Sequence, residues 1–310
     1  MANIHQLIVQ HGHRQARDMV GADERRYVDL AAEWLANENQ GLGITYSGFC
    51  LTCLPHKKLP DDQHWERPGP KVTLLVEPGR LRDQDGKTKL YGVPYGSRAR
   101  LILLYLQTRA VQSGSPEVEL GRSMRDWMSR MGVPIGGTSY REVRDQANRI
   151  SACHLTFLWD SEKQTKFAKD SIVDGGIQLY ETDDDQQLRL WVDTVRLSDR
   201  FFKALREHPV PVSEAAIKLI SNQSLSLDVY IWLAYRLHVL QKPTAVSWLS
   251  LHQQFGFAYK NVFHFKPRFI EALKMATMVY EQARVEVDQS GVVLHPSAPP
   301  VPERSIGILR

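Results

Sequence analysis

The sequence predicts an α+β protein in which one order of helices and strands occurs twice along the chain. In the first half, an apolar-periodic helix from Ser97 and a short alternating strand at 117–120 precede two amphipathic helices and several strands. In the second half, a helix at 225–240 and a strand at 244–247 begin the same order again. With 310 residues the chain is long enough for two domains. The repetition therefore predicts two similar domains in tandem.

Two short amphipathic helices are predicted on either side of the Gly- and Pro-containing turn at 132–138. Ser123 lies three residues before Asp126, and Ser139 lies three residues before Glu142. This is the spacing of an N-cap side chain and its capping-box partner. The two helices are therefore expected to begin at these serines, as a helix-turn-helix.

The second of these helices has one apolar side and one polar side. Val143, Ala147 and Ile150 recur at helical spacing on the apolar side. The opposite side carries arginine and asparagine, whose side chains match guanine and adenine edges in the major groove. The pattern favours DNA contact, although a solvated face on which Glu142 and Asp145 pair with the arginines also fits it. The predicted DNA contacts of this helix are Ser139, Arg141, Arg144, Asn148 and Arg149.

Strands are predicted after this helix, at 154–159, from 171 to 180, and at 188–192. The order helix, strand, helix, helix, strand, strand is that of a winged helix, with the loop 161–169 as the wing. Its lysines are expected to bind phosphate, which positions a protein on DNA without reading sequence, and a solvated hairpin tip is the alternative. The predicted phosphate contacts are Arg122, Arg125, Lys163, Lys166 and Lys169.

The second half predicts another winged helix. A helix at 248–255 ends at Gly256, and Pro267 is expected to open the next helix at its first position, where its missing N–H is harmless. A hairpin of 283–287 with 292–294 follows. Met275 and Met278 leave a protein-contact surface open as the alternative to DNA. The predicted DNA contacts are Lys260, His264, Lys266, Arg268 and Lys274.

The flanking segments complete the predicted architecture. An amphipathic helix is expected at 23–37, after a polar N-terminal arm. The stretches 44–54 and 72–76 are expected to pair as a small β extension that packs on the first domain, with a dimer contact as the alternative. The predicted divisions are an N-terminal arm and helix (1–43), the β extension (44–96), winged-helix domain 1 (97–200), winged-helix domain 2 (201–296) and an extended, mobile Pro-rich tail (297–310).

Composition excludes some classes of protein. The net charge is only +4, but the basic residues between 97 and 150 are all arginine and outnumber the acids there, whereas 181–185 is an acidic loop. This uneven distribution would orient the protein on a polyanion. No stretch has the length of a membrane span, and the first residues lack the apolar core of a signal peptide. The sequence therefore predicts a cytoplasmic protein with no membrane partner.

The cysteines offer a metal site as one interpretation. Cys50 and Cys53, followed by His56 and His64, resemble a list of zinc ligands, but the spacing is loose and no second knuckle follows. Alternation of the residues 49–54 instead favours a half-buried strand. Three cysteines are also an odd count for a disulfide framework. We predict no metal site.

Motifs for catalysis are missing from the sequence. It contains no phosphate-binding GxxxxGK[ST] loop, no GxSxG elbow and no HExxH helix. The nearest approach to the metal-binding histidine triplet of a nicking enzyme is His11-Gly-His13, in the polar N-terminal arm. We therefore predict that the protein is not an enzyme and has no cofactor.

Several stretches in order resemble the plasmid-encoded RepA replication initiator family, over roughly Ile44 to His295. They include GFCLTCLPH, VPYGSRARLILLY and HPVPV. The stretches that carry the resemblance are 48–56, 93–105, 118–127, 139–144, 208–212, 230–237 and 266–269.

The resemblance implies a non-enzymatic initiator with tandem winged helices. Such a protein binds double-stranded DNA at repeated sites of the plasmid origin, helps to open it and recruits host replication initiation and helicase-loading proteins. It also implies a homodimer that represses its own synthesis. Two alternatives stay open: a transcriptional repressor on an inverted repeat, and a protein-interaction module of the replication or partition machinery.

Overall fold

A computed structural model describes residues 4–37, 41–82, 86–159, 166–170, 172–174 and 194–301, with the backbone alone at 166–170. The chain forms two compact units. The central unit is Ile44–Pro209, and the flanking unit combines Met1–Gly43 with Val210–Arg310. Both contain helices and small sheets, which confirms the predicted α+β class.

The helices in chain order are α1 (Ile4–Asp18), α2 (Arg25–Leu35), α3 (Ser47–Leu51), α4 (Gly96–Ser113), α5 (Met124–Arg130), α6 (Gly137–Ala152), α7 (Asp199–Glu207), α8 (Glu214–Leu219), α9 (Ser224–Arg236), α10 (Trp248–Phe255) and α11 (Val262–Met278), with a 3₁₀ turn at Leu237–Val239. The strands are β1 (Leu42–Tyr46), β2 (Trp65–Pro68), β3 (Val72–Glu77), β4 (Gly79–Arg82), β5 (Thr88–Tyr91), β6 (Glu117–Glu119), β7 (His154–Trp159), β8 (Lys166–Asp170), β9 (Val173–Asp174), β10 (Thr194–Leu197), β11 (Pro209–Ser213), β12 (Thr244–Ser247), β13 (Val285–Val287) and β14 (Gly291–Leu294).

The predicted pairing of 44–54 with 72–76 is wrong. Strand β3 lies between β2 and β7 in an antiparallel four-stranded sheet of order β2-β3-β7-β8, with Leu74 opposite Phe157. Residues 47–51 form a helix, in which the ring of Phe49 packs edge-on against that of Phe157 at 5.2 Å between centroids. An aromatic contact across the unit therefore overrides the local alternation.

A second sheet of the central unit has the order β6-β10-β9. The strand that comes first in the chain, β6, therefore pairs with the strand that comes last, β10. The predicted wing at 161–169 is wrong for residues 166–169, because they belong to β8, which pairs with β7 in the four-stranded sheet; residues 161–165 lie outside the described part of the chain. The connection between β9 and β10 is 175–193. That segment, like the predicted strands within it and the acidic loop 181–185, lies outside the described residues.

One of the two predicted capping serines is confirmed. The hydroxyl of Ser123 accepts a hydrogen bond from the Asp126 backbone N–H at 3.2 Å, so α5 begins where predicted. Helix α6 instead begins at Gly137, and the Tyr140 N–H donates to the Gly136 carbonyl at 3.0 Å. Ser139 therefore lies inside the helix, because Gly137 and Thr138 allow a helical backbone ahead of it.

The flanking unit repeats most of the element order of the central unit. Helix α9, strand β12, helices α10 and α11, and strands β13 and β14 follow one another, and the sheet order is β12-β14-β13. Again the first strand pairs with the last. The predicted repetition is confirmed for the helix, the strand and the two helices, whereas the central unit has β7 and β8 of the four-stranded sheet before the strands that correspond to β13 and β14.

Helix α11 begins earlier than predicted. Its N-cap is Asn261, whose side-chain oxygen accepts a hydrogen bond from the His264 N–H at 3.1 Å. The prediction that Pro267 opens the helix is wrong, because the proline lies within it. Lacking an N–H, Pro267 leaves the carbonyl of Phe263 without its helical partner. The side-chain cap starts the helix in spite of this defect.

The N-terminal segment is more ordered in secondary structure than an arm. Helix α2 is confirmed, with Tyr27, Ala31 and Trp34 buried. Residues 4–18 form α1, which bends at Gly12, where φ is +77°. His13 and Arg17 of α1 bind the carboxylate of Asp29 in α2, and His13 is the closer at 2.7 Å. The two helices therefore pack as a pair.

The predicted mobile tail is wrong for residues 297–301. The hydroxyl of Tyr280 donates to the Ala298 carbonyl at 2.6 Å, and Val301 is buried. The Arg284 N–H donates to the Ser297 hydroxyl at 3.1 Å. These contacts fix the segment on the flanking unit. Residues 302–310 lie outside the described part of the chain.

Replacement of the two serines distinguishes the true helix start from the predicted one. Ser123→Ala removes the cap of α5 and should lower the free energy of unfolding by about 1 kcal/mol. Ser139→Ala lies inside α6 and should change it by less than about 0.5 kcal/mol. Urea unfolding followed by tryptophan fluorescence measures both. Equal losses would contradict the observed start of α6.

Candidate nucleic-acid interface

Helix α6 is fixed in the central unit by its inner side. Val143, Ala147 and Ile150 are fully buried, as predicted from their spacing. At the other side, Arg141 is exposed, and Arg144 and Asn148 are half-buried. The helix therefore presents toward the surface two of its three arginines that are predicted to contact DNA, together with the asparagine.

Arg149 is the exception and corrects the prediction. Its side chain is only 3% exposed, and its guanidinium binds Asp145 at 2.8 Å and Asp61 at 2.9 Å. It also lies over the ring of Tyr95 at 5.2 Å. Burial by itself lowers the pKa of Arg149, but the bonds to Asp145 and Asp61 outweigh it and raise that pKa. Arg149 anchors α6 internally and is not available to DNA.

The acids of α6 have arginine partners on α4 and on α6 itself. Glu142 binds Arg98 of α4 at 3.1 Å, and Asp145 binds Arg149. Glu142 therefore connects α6 to α4, and Asp145 holds the buried Arg149 within α6.

The loop before α5 is held by one carboxylate. The Arg122 N–H donates to Asp126 Oδ2 at 3.0 Å, and the Arg130 guanidinium binds the same oxygen at 3.1 Å. These bonds, the backbone one first, lower the pKa of Asp126. Gly121 has a φ of +103°, and a Cβ there would clash with Asp126. Arg122 of this loop and Arg125 in the first turn of α5 are both exposed.

The start of α6 was missed as a possible contact by sequence reasoning. The helix has no side-chain cap at Gly136, and a Cβ at Gly136 or Gly137 would meet nothing within 4 Å. Its first amides are therefore open to solvent beside the exposed Thr138. Amides at a helix N-terminus favour anions such as phosphate. The Gly-Gly pair was the signal that could have revealed this feature.

The predicted wing lysines are only partly placed. Lys163 lies outside the described residues, whereas Lys166 and Lys169 lie on β8 of the four-stranded sheet, where the backbone alone is described. Their role as phosphate contacts stays a prediction. Because Lys166 and Lys169 lie on β8, they do not belong to a wing of the β6-β10-β9 sheet.

In the flanking unit, the exposed residues among the predicted DNA contacts lie at or just before the start of α11. Lys260, His264 and Arg268 are exposed. Lys266 is half-buried, with its ammonium 4.8 Å from the centre of the Trp248 ring. Phe263, in the same turn, is 80% exposed, the highest value among the large hydrophobic side chains of the described residues. The sequence pattern does not reveal Phe263 as part of this surface, because it predicts that the helix begins only at Pro267.

The second half of α11 is covered by α2. Lys274 lies 3.6 Å from Glu24 and 5.4 Å from the centre of the Tyr27 ring. Glu271 binds Arg26 at 2.8 Å. Lys274 therefore has an acidic partner within the unit, and its role as a DNA contact stays a prediction.

The alternative of an outward methionine surface on α11 is wrong. Met275 and Met278 are both buried, together with most of the last two turns of the helix. His5 of α1 donates from Nε2 to the Met278 carbonyl at 2.9 Å. The exposed part of α11 is therefore limited to the turns that contain Phe263 and Arg268.

The cysteine cluster has the character of a protein interior. Cys50 and Cys53 are buried, and Cys50 Sγ donates to the Tyr46 carbonyl at 3.8 Å. Burial raises the pKa of the Cys50 thiol well above its usual range, which opposes the thiolate that zinc requires. His64 is exposed. That the protein holds no metal stays a prediction.

Residues 93–249, half of the chain, match the family model of the plasmid-encoded RepA protein. The chain belongs to this family. It is therefore a plasmid replication initiator of the RepA family by sequence. No curated protein sequence matches the chain.

One solved structure shows a similar fold. The selenomethionine structure of domains 2 and 3 of RctB is 13% identical, with a TM-score of 0.51, and the match covers 83% of this chain and 99% of that one. A second RctB structure, of residues 155–483, is 12% identical with a TM-score of 0.47 over 78% of this chain and 92% of that one. At such identities, the first likeness concerns the fold alone. Within the described residues, no helix is both long enough and apolar enough for a membrane span.

Replacement of two arginines of α6 distinguishes a side chain that anchors the helix from one that is exposed at the surface. Arg149→Ala leaves Asp61 and Asp145 without their buried cation and should lower the free energy of unfolding by about 1.5–3 kcal/mol. Arg141→Ala removes an exposed side chain and should change it by less than about 0.5 kcal/mol. Thermal and urea unfolding of the full chain measure both. A larger loss from Arg141→Ala would contradict the assignment.

Proposed function

We propose that this RepA-family protein binds double-stranded DNA at repeated sites of a plasmid origin through two winged helices, one in each unit. The observation that carries the proposal is the repeated topology. In each unit a helix, a strand and two helices follow in order, and a three-stranded sheet is completed by two later strands, the last of which pairs with the first; in the central unit β7 and β8 of the four-stranded sheet come in between. The second helix of each pair, α6 or α11, occupies the recognition position of a winged helix.

In the central unit, different residues are assigned to base contacts and to phosphate contacts. Arg141, Arg144 and Asn148 carry the donors and acceptors that guanine and adenine edges require, so we assign base contacts to them. Arg122 on the ordered loop before α5 and Arg125 in the first turn of α5 are assigned to phosphate. Ser139, in the first turn of α6, joins the open amides at that end of the helix.

The flanking unit makes a smaller contact in this proposal. Lys260, Lys266 and Arg268 provide the positive charge, with His264 beside them. Because α2 covers the second half of α11, contact is restricted to the first turns. The proposed protein is not an enzyme and acts by opening the origin and recruiting host replication initiation and helicase-loading proteins, with a homodimer as its repressing form.

DNA from the protein's own replicon should contain its binding sites. Fragments retained by the purified protein at about 0.2 M salt, where non-specific phosphate binding is weak, are then footprinted. Directly repeated protected sites beside an AT-rich stretch are expected. One inverted repeat in a promoter would favour a repressor instead, and retention of no fragment would contradict DNA binding.

Base and phosphate contacts should differ in their dependence on sequence. Arg141→Ala should weaken binding to the footprinted site by about 1–3 kcal/mol and relax specificity at one base pair. Arg125→Ala should weaken cognate and random duplexes alike and reduce the salt dependence of binding. Affinities are measured by fluorescence anisotropy at several salt concentrations.

The matched control is Arg200→Ala, which removes an exposed arginine from α7. It should leave the affinity for both duplexes unchanged. If Arg141→Ala and Arg125→Ala affect cognate and random DNA equally, the assignment of their roles is wrong.

A further inference from the structure

The exposure of Phe263 sets it apart from the other phenylalanines of α11. Phe265 and Phe269 are fully buried and pack with ring centroids 5.2 Å apart, whereas Phe263 is 80% exposed. The core of the flanking unit therefore does not use this ring. An exposed aromatic side chain of this size leaves a large apolar area in water, and apolar burial becomes favourable only against a further molecule.

The charge around Phe263 identifies the class of that molecule. The stretch from Phe257 to Arg268 contains Lys260, Lys266 and Arg268 but no aspartate or glutamate. The next acid along the helix, Glu271, is held by Arg26 at 2.8 Å and Arg268 at 3.3 Å. Asp288, between β13 and β14, lies close enough to Lys266 to interact with its charge. The residues that flank Phe263 in the chain are nevertheless cationic, and an apolar ring among them is complementary to a polyanion that also offers an apolar group.

The ring is presented by a fixed backbone. Asn261 caps the first turn of α11 through its bond to the His264 N–H, and the ammonium of Lys266 lies over the Trp248 ring. The buried Phe265 ties the same turn to the core. Phe263 therefore projects from an ordered turn, which lowers the entropic cost of a specific contact.

Duplex DNA offers one suitable apolar group on its base edges. In the major groove, thymine displays its 5-methyl group, whereas the other bases display hydrogen-bond donors and acceptors. A phenyl ring near the start of a recognition helix lies where base edges are contacted. Phenylalanine makes no hydrogen bonds, so thymine is the base that it can distinguish.

We propose that Phe263 is a specificity-determining residue that packs on the 5-methyl group of thymine in the major groove of duplex DNA. This inference rests on the proposed function, since it takes α11 as the second recognition helix. It adds that the flanking unit reads sequence and does not only bind phosphate. Burial of the ring against the methyl group supplies the discrimination.

Replacing thymine by deoxyuridine tests this contact, because it removes the methyl group and keeps the base pairing. In the footprinted duplex, each thymine is replaced in turn, and affinities of the full chain are measured. The unchanged protein should lose about three- to fivefold in affinity at one or two positions, the effect of one methyl-sized group returned to water. Phe263→Ala should bind the thymine and deoxyuridine duplexes equally, and both more weakly than the unchanged protein binds the thymine duplex.

Two variants serve as controls. Val9→Ala removes another exposed apolar side chain of the flanking unit, 72% exposed on α1, and should keep the full sensitivity to the methyl group. Phe263→Leu keeps an apolar side chain and should retain part of that sensitivity. Urea unfolding curves of all variants should superpose on that of the unchanged protein, since no buried side chain is altered.

Each other outcome has a definite meaning. If the unchanged protein binds the duplex but no deoxyuridine replacement weakens it, the thymine contact is wrong while the proposed DNA binding stands. The contact is also wrong if Phe263→Ala still discriminates the methyl group, or binds like the unchanged protein, as expected of a surface for a protein partner. A loss seen only with single-stranded DNA would overturn it too. If the unchanged protein binds no duplex, both proposals fail.

Discussion

The display of side chains in the central unit depends on the ion-paired guanidinium of Arg149. This buried group joins Asp145 of the same helix to Asp61 of a distant loop, while the apolar side of α6 is sealed by Val143 and Ile150. A buried cation needs partners of this kind, since it would otherwise be strongly destabilising. The helix is thereby locked in rotation, and this orientation decides that Arg141 is exposed.

The two units apply one topology with different amounts of exposed helix. In the central unit, polar residues at the surface of α6 extend from Thr138 to Asn148. In the flanking unit, α2 covers the corresponding later turns of α11 through the pairs of Lys274 and Glu271 with Glu24 and Arg26. The repeat therefore does not imply two equal DNA contacts. The central unit is the main one in our proposal, and the flanking unit contributes a short, partly apolar contact.

Local patterns predicted the helices well, because an apolar stripe such as that of α6 is a property of neighbouring residues. They failed where a distant partner decides. The sequence does not specify that β7 pairs with β3, so the pattern places the wing wrongly. Asp61 is far from Arg149 in sequence, so the pattern cannot show that Arg149 is an internal anchor and not a DNA contact. The start of α11 was missed because the cap at Asn261 outweighs the defect at Pro267. That the side chain of Phe263 is exposed, while those of Phe265 and Phe269 are buried, could be recognised only from the structure.

Amide hydrogen exchange of the full chain, with and without the footprinted duplex, tests most directly whether both units contact DNA through these helices. The account predicts slower exchange on binding at the start of α6, around residues 137–141, and at the start of α11, around 262–264, with no change in the later turns of α11. Protection confined to other surfaces, with both helix starts unchanged, would contradict it.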